Sequence, residues 1–199
     1  KLVVESAQNG ISDLGVLSAA ILSERDFRVR EEPFPTGNSD VLALCDLYRQ
    51  VEKSKFANHR IRNLGLNERT LKTIQKTKRQ LERVLKTQVQ QKVSEPDNPE
   101  NQFLRILMKS FPDRVAKRVS AGGQRKGERE VLLISGGRAS VSSESGIGDA
   151  EYVIAVDMGE RRQQGRAKLL VRLASVIDVE WIMDEWIDWI QERTHLSFH

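Results

Sequence analysis

The apolar period of this chain changes once, at Pro112, and that change limits the fold more than any other feature. Before Pro112, apolar residues recur at helical spacing. After it come short, β-branched segments separated by Gly-rich turns. A helix-period pattern does not settle as strands, nor a strand pattern as helix. The chain is therefore predicted to be α+β: an N-terminal helical bundle over 1–110, a small β domain over 111–178, and a C-terminal amphipathic helix and tail over 179–199. Its 199 residues suffice for one large or two small domains. No internal repeat is visible.

The helical block divides at recognisable signals. Ser12-Asp13 is placed to cap a helix running to about Arg25, with Leu14, Leu17, Ala20 and Ile21 on one face. The stretch 31–39, with two prolines and a Gly, reads as a loop. Ser39 or Asp40 caps the next helix, whose stripe is Val41, Leu44, Leu47, Tyr48 and Val51. A shorter helix over 56–67 ends near Gly65, and Asn67 caps a long one. The run 94–101 breaks that helix, and Phe103 to Phe111 forms another.

The long helix carries the strongest charge signal. Leu71, Ile74, Leu81, Val84, Leu85 and Val89 collect on one side at 100° per residue. Lys72, Lys76, Arg79, Arg83 and Lys86 fall on a stripe roughly opposite. Between Arg60 and Lys92 the bases are Arg60, Arg62, Arg69, Lys72, Lys76, Lys78, Arg79, Arg83, Lys86 and Lys92, against Glu68 and Glu82, a local excess of +8 in a chain whose net charge is +4. Like charges at i,i+4 repel by a few tenths of a kcal/mol, so the stripe is either a solvated face or one that tracks phosphates.

After Pro112, five segments read as strands: 113–120, 128–137, 138–145, 150–158 and 166–176, with alternation in Tyr152–Val156 and Lys168–Leu173. A small barrel or sandwich follows, with an OB-like barrel the first candidate at this size. Arg138 and Ser140 sit in a Gly-flanked turn and strand, where basic and hydroxyl groups can contact a nucleic-acid backbone; an ordinary polar turn is the plain alternative. The tail helix presents Val179, Ile182, Met183, Trp186, Trp189 and Ile190 as its apolar face and Glu180, Asp184, Asp188 and Glu192 as its acidic one. Trp181 projects off the apolar face, and core packing is favoured for the tryptophans over an interface.

Little of this is catalytic. Gly122 to Gly127 lacks the Lys and hydroxyl of a phosphate loop, so Arg125 and Lys126 are read as a basic strand connection able to touch phosphate. The stretch 146–151 reads as a turn. His59 has no Cys or second His at ligand spacing, and His195 and His199 lie near the end, where order is not expected, so no metal site is predicted. The lone Cys45 lies on a helix face as a small core residue and implies a reducing compartment. No run approaches the ~18 apolar residues of a membrane span. No secretory signal is visible, and a cytoplasmic location is expected. The chain opens on Lys1 without Met, as a piece of a longer protein would.

The order of several stretches carries a resemblance. LGVLSAAILSERDF (14–27), FANHRIRNLGLNERTLKTIQKTKRQL (56–81), FPDRVAKR (111–118), SGGRASV (135–141) and AEYVIAVDM (150–158) together resemble the carboxyl-terminal part of HrpB-type ATP-dependent helicases, relatives of the DEAH/RHA group. The resemblance covers nearly the whole chain. It implies a helicase-associated ratchet up to about residue 110 and an OB-like domain from about 111, both packed against two RecA-like motor domains of the same parent chain. Lys78 falls near where relatives carry the Arg of an IRxQL-like run. The Walker and DExH motifs are absent here. ATP and magnesium are implied only for the parent, and this chain alone is expected to have no cofactor and no hydrolysis.

The expected function is an accessory nucleic-acid-binding region making sequence-independent contacts to single-stranded RNA or DNA, with RNA the first choice. Its candidate residues are Lys72, Lys76, Lys78, Arg79, Arg83, Lys86, Arg125, Lys126, Arg138 and Ser140. A self-standing single-strand-binding module is a second possibility. The alternative of another class is a structural or protein-interaction domain whose basic helix docks an acidic partner, its own acidic tail helix included.

Overall fold

The structure is a computed structural model and describes residues 1–29, 32–88, 94, 96–119, 129–163 and 166–189. Among these, six helices precede a closed five-stranded β-barrel and a seventh follows it. The helices are α1 (Leu2–Gln8), α2 (Ser12–Leu22), α3 (Asp40–Lys53), α4 (Asn58–Asn63), α5 (Glu68–Gln88), α6 (Pro99–Ser110) and α7 (Val179–Trp186). The strands are β1 (Val115–Arg118), β2 (Glu130–Leu133), β3 (Arg138–Val141), β4 (Tyr152–Gln163) and β5 (Arg166–Val176).

Local chemistry explains most boundaries. Ser39 caps α3, its hydroxyl accepting from Leu42 N–H at 3.2 Å. Asn67 caps α5 through Thr70 N–H at 3.1 Å. Asn98 caps α6 through Asn101 N–H at 3.0 Å, with Pro99 at the first helical position. That helix thus begins inside the stretch read as a break, because Asn-Pro both ends one element and starts the next. α1 was not anticipated: its seven residues are too few for a clear period. It crosses α2 closely, and a Cβ on Gly15 would come within 2.2 Å of Ser6 Cβ.

The barrel closes in the order β1-β2-β3-β5-β4, with β4 paired back to β1. All pairs are antiparallel except β3 with β5, which run parallel in the register Ala139↔Leu169 and Val141↔Val171. The closure is consistent with an OB-like barrel rather than a sandwich. Two cores result. Ala116, Val131, Ala139, Val153, Ala155 and Val171 fill the barrel. The larger cluster joins the helices to Val115, Ile154, Val156, Leu173 and Ile177 on the barrel's outer side. Val153 to Val156 is therefore buried on both faces, so the alternation expected over Tyr152–Val156 does not hold: the run is continuously apolar because each face meets a core.

Candidate nucleic-acid interface

α5 is anchored by its first two turns. Leu71 and Ile74 are fully buried and the helix packs on α2. Farther along, Leu81 and Leu85 are half-buried and Val84 is 56% exposed. The apolar face predicted to run the length of the helix is covered only at its start. Val89 lies outside the described residues.

The basic stripe faces solvent. Lys72, Lys76, Arg79, Arg83 and Lys86 are all exposed. Lys72 pairs with Glu68 one turn back at 2.6 Å, and that contact holds the Glu68 carboxyl below its usual range. The other four have no ion pair among the described residues. Beside the helix start lies a shallow depression of about 740 Å³, lined by Val29, Leu66, Asn67, Arg69, Lys72 and Lys76 among others. It meets a wider groove of about 1160 Å³ at Val29 and Leu66.

Lys78 stands apart from the stripe. Its ammonium is 2.8 Å from Glu52 Oε1 and 5.8 Å from the centre of the Tyr48 ring, and its side chain is only 18% exposed. It ties α5 to α3. The Tyr48 hydroxyl beneath is buried with no hydrogen-bond partner, and burial pushes its pKa up, with Glu52 adding to the rise.

On the barrel, Arg138 and Ser140 lie on the outer side of β3, alternating with inward Ala139 and Val141. Arg138 is 67% exposed and 3.8 Å from Glu130 Oε2. Ser140 is half-buried beside Glu130 and Leu170 in the strand register. These two share one sheet face, on a different element from the five cations of α5. Arg125 and Lys126 fall in the β1–β2 connection, outside the described residues.

Sequence reasoning missed the joint between helices and barrel. Asp40, read there only as a possible cap, is buried and accepts three hydrogen bonds from the barrel: Ser145 Oγ at 2.6 Å, Gly146 N–H at 2.8 Å and Ala174 N–H at 2.9 Å. Burial raises its pKa above the usual carboxylate range, against the lowering effect of these donors and of Arg129. The adjacent Ser39 and Ser175 hydroxyls are 2.7 Å apart, and Val176 N–H donates to Asn38 carbonyl at 2.7 Å. Gly146 packs on the Pro35 carbonyl so closely that a Cβ would meet it at 2.2 Å. Only the Gly in the 146–151 turn hinted at this, since a turn Gly also permits close backbone approach.

The tail helix is rotated from its predicted face. Trp181, Ile182 and Trp186 pack on the core, whereas Val179 and Met183 are exposed. Trp181 faces inward because α7 lies on α6: Arg105 bonds Glu185 and Asp184 at 3.0 and 3.1 Å, and Lys109 bonds Glu185 at 2.7 Å. The Trp189 side chain, Ile190 and Glu192 lie outside the described residues. Of the described acids of the tail, Asp184 and Glu185 find cations on α6, and none pairs with the stripe of α5.

Cys45 is buried against Ser18 Oγ at 3.3 Å. Among the described residues no three His, Cys, Asp or Glu gather as metal ligands, and no helix is long and apolar enough to cross a membrane. No family model matches the chain, and no curated protein matches it.

Proposed function

We propose that this chain is an accessory nucleic-acid-binding region of an ATP-dependent, HrpB-like DExH helicase, giving sequence-independent contacts to single-stranded RNA or DNA. The observation that carries the reading is the row Lys76, Arg79, Arg83 and Lys86, exposed on one helix and unpaired among the described residues. Like charges kept together without counter-charges suit a polyanion, whose condensed counterions are released on binding. The contacts are to phosphate and position the strand without reading it.

The barrel adds support. An OB-type barrel binds through the face of its second and third strands and through its β1–β2 and β4–β5 loops. Arg138 and Ser140 stand on that face, and Arg125 and Lys126 fall in the β1–β2 loop by sequence. Aromatic platforms are scarce there, so backbone contacts dominate over stacking. Lys78 is assigned to holding α5 on α3, and it reaches the strand only indirectly. The resemblance to the helicase family supplies the rest of the reading: ratchet-like helices, RNA ahead of DNA, and RecA-like motor domains of the same parent chain that bring ATP and magnesium. The test is binding of a single-stranded oligonucleotide to the wild type and to Lys76→Glu/Arg79→Glu/Arg83→Glu. Equal affinity in the two removes the proposal.

A further inference from the structure

The β4–β5 hairpin carries cations outside the residues described so far. From Arg161 to Leu173 the sequence has five bases, Arg161, Arg162, Arg166, Lys168 and Arg172, and no acid. The sheet register sets two of them in line with Arg138. Arg161 of β4 stands directly opposite Lys168 of β5. β3 runs parallel to β5 with Ala139 beside Leu169, so one step back Arg138 stands beside Lys168. Ala139 and Leu169 pack into the barrel, which puts Arg138 and Lys168 on the outer face, and Arg161 with its partner Lys168. All three are exposed. Adjacent strands are roughly 4.8 Å apart, so Arg138, Lys168 and Arg161 form a row of cations about 10 Å long across three strands. Beyond Arg138 the row ends at Leu132 of β2.

Like charges directly opposite each other in a sheet are destabilising. Glu130, 3.8 Å from Arg138, relieves one end of the row. Arg172, farther along β5, is held by Asp157 at 2.8 Å. Lys168 and Arg161 have no ion pair among the described residues. In the line beside the row stand Ser140, Leu170 and Gly159, all uncharged. No aromatic lies in either line, so the row offers charge without stacking. We propose that it is a second phosphate-backbone site, on which a single-stranded nucleic acid crosses β3, β5 and β4 along Arg138, Lys168 and Arg161. The contacts are to phosphate and read no sequence. The proposal rests on the reading of this chain as nucleic-acid-binding, but not on the stripe of α5. It adds Lys168 and Arg161 to the barrel's contacts and directs the strand away from β2, toward the β4–β5 hairpin.

Lys168→Glu separates this role from a structural one. It places a carboxylate between Arg138 and Arg161, so two like-charge neighbours become opposite-charge ones and the melting temperature is expected to rise, while binding weakens. The experiment is an anisotropy titration of end-labelled polyuridylate across a salt series on the full chain, with thermal melts alongside. Lys168→Glu is expected to bind more weakly, with a salt slope shallower by at least about 0.7, the share of one phosphate on a single strand. Arg161→Ala/Lys168→Ala, with both positions exposed, is expected to weaken binding without lowering the melting temperature. Wild-type affinity and slope in both variants overturn the inference; if Lys76→Glu/Arg79→Glu/Arg83→Glu still weakens binding, the reading of α5 survives it. Weaker binding that comes with a lower melting temperature in both variants overturns it as well. A wild type that binds polyglutamate as tightly as polyuridylate, and loses both in Lys168→Glu, assigns the row to an acidic protein and overturns it. A wild type that binds no polyuridylate even at low salt overturns the inference together with the reading it rests on.

Discussion

Ser145 Oγ donates to Asp40 Oδ2 at 2.6 Å across the boundary between α3 and the barrel. With Gly146 and Ala174 on the same carboxylate, it makes the first residue of a helix the acceptor for two separate segments of the barrel. The helices and the barrel are fastened by this joint and by the shared apolar cluster.

Asp40→Ala leaves three buried donors without an acceptor and is expected to cost at least about 3 kcal/mol by urea denaturation, since each unsatisfied donor costs roughly 1–3 kcal/mol. Asp40→Asn, whose amide turns a donor toward a donor, is expected to fall between alanine and wild type. The pH dependence has a definite sign. Burial raises the native pKa of Asp40, so between the unfolded and native values the native state binds the extra proton. Asp40's contribution to stability therefore declines as pH rises through that window. The wild type should show this decline relative to Asp40→Asn; parallel curves would remove the assignment.

Lys78 and its neighbour Arg79 separate structure from binding. Lys78→Ala loses the contacts to Glu52 and Tyr48 and is expected to cost about 1 kcal/mol of stability with little change in oligonucleotide affinity. Arg79→Ala, exposed and without an ion pair among the described residues, should do the reverse. Thermal melts and anisotropy titrations of both variants check the pair.

Docking of α7 is expected to weaken in acid. Burial pushes the Glu185 carboxyl up, but hydrogen bonds from Lys109 and Arg105 outweigh it and the net shift is downward. A depressed native pKa gives stability that is present above the unfolded value and lost as pH falls through the native one. The partners are a fifth to a third exposed, so Glu185→Gln should cost no more than about 1 kcal/mol. Tryptophan emission reports it: a red shift as the pH falls through the lowered Glu185 pKa in the wild type, already partly present in Glu185→Gln.

Cys45 should be inert. Burial pushes its thiol up to about 11, and the thiolate is the reactive form. Thiol reagents are expected to label it only as fast as the chain opens. Rapid labelling under native conditions would contradict its placement.

The sequence made some of these features legible and hid others for physical reasons. The change of period at Pro112 located the barrel, because strand and helix periods cannot be confused over five successive segments. The caps at Ser39 and Asn67 were readable because an N-cap is a local contact between a side chain and the helix it starts. The Asp40 joint is non-local: its partners lie more than a hundred residues away, and nothing near Asp40 distinguishes it from a cap. The face of α7 was misread because both edges of that helix are apolar, so periodicity alone could not say whether Trp181 or Met183 turns inward. On α5 the exposed stripe could be read from spacing, since five cations at helical period have few places to go but water. The different role of Lys78 could not, because Glu52 and Tyr48 reach it from another helix.

The central claim is that the cations of α5 meet phosphates. Its most direct test is fluorescence-anisotropy binding of a short single-stranded RNA across a salt series, for the wild type and for Lys76→Glu/Arg79→Glu/Arg83→Glu. Wild-type affinity near ~10⁻⁴–10⁻⁶ M at moderate salt is expected, falling log-linearly with a slope of about −0.7 per neutralised phosphate. The reversed variant should bind more weakly and lose about two units of that slope while keeping its melting curve. An unchanged affinity and slope in the variant would contradict the account.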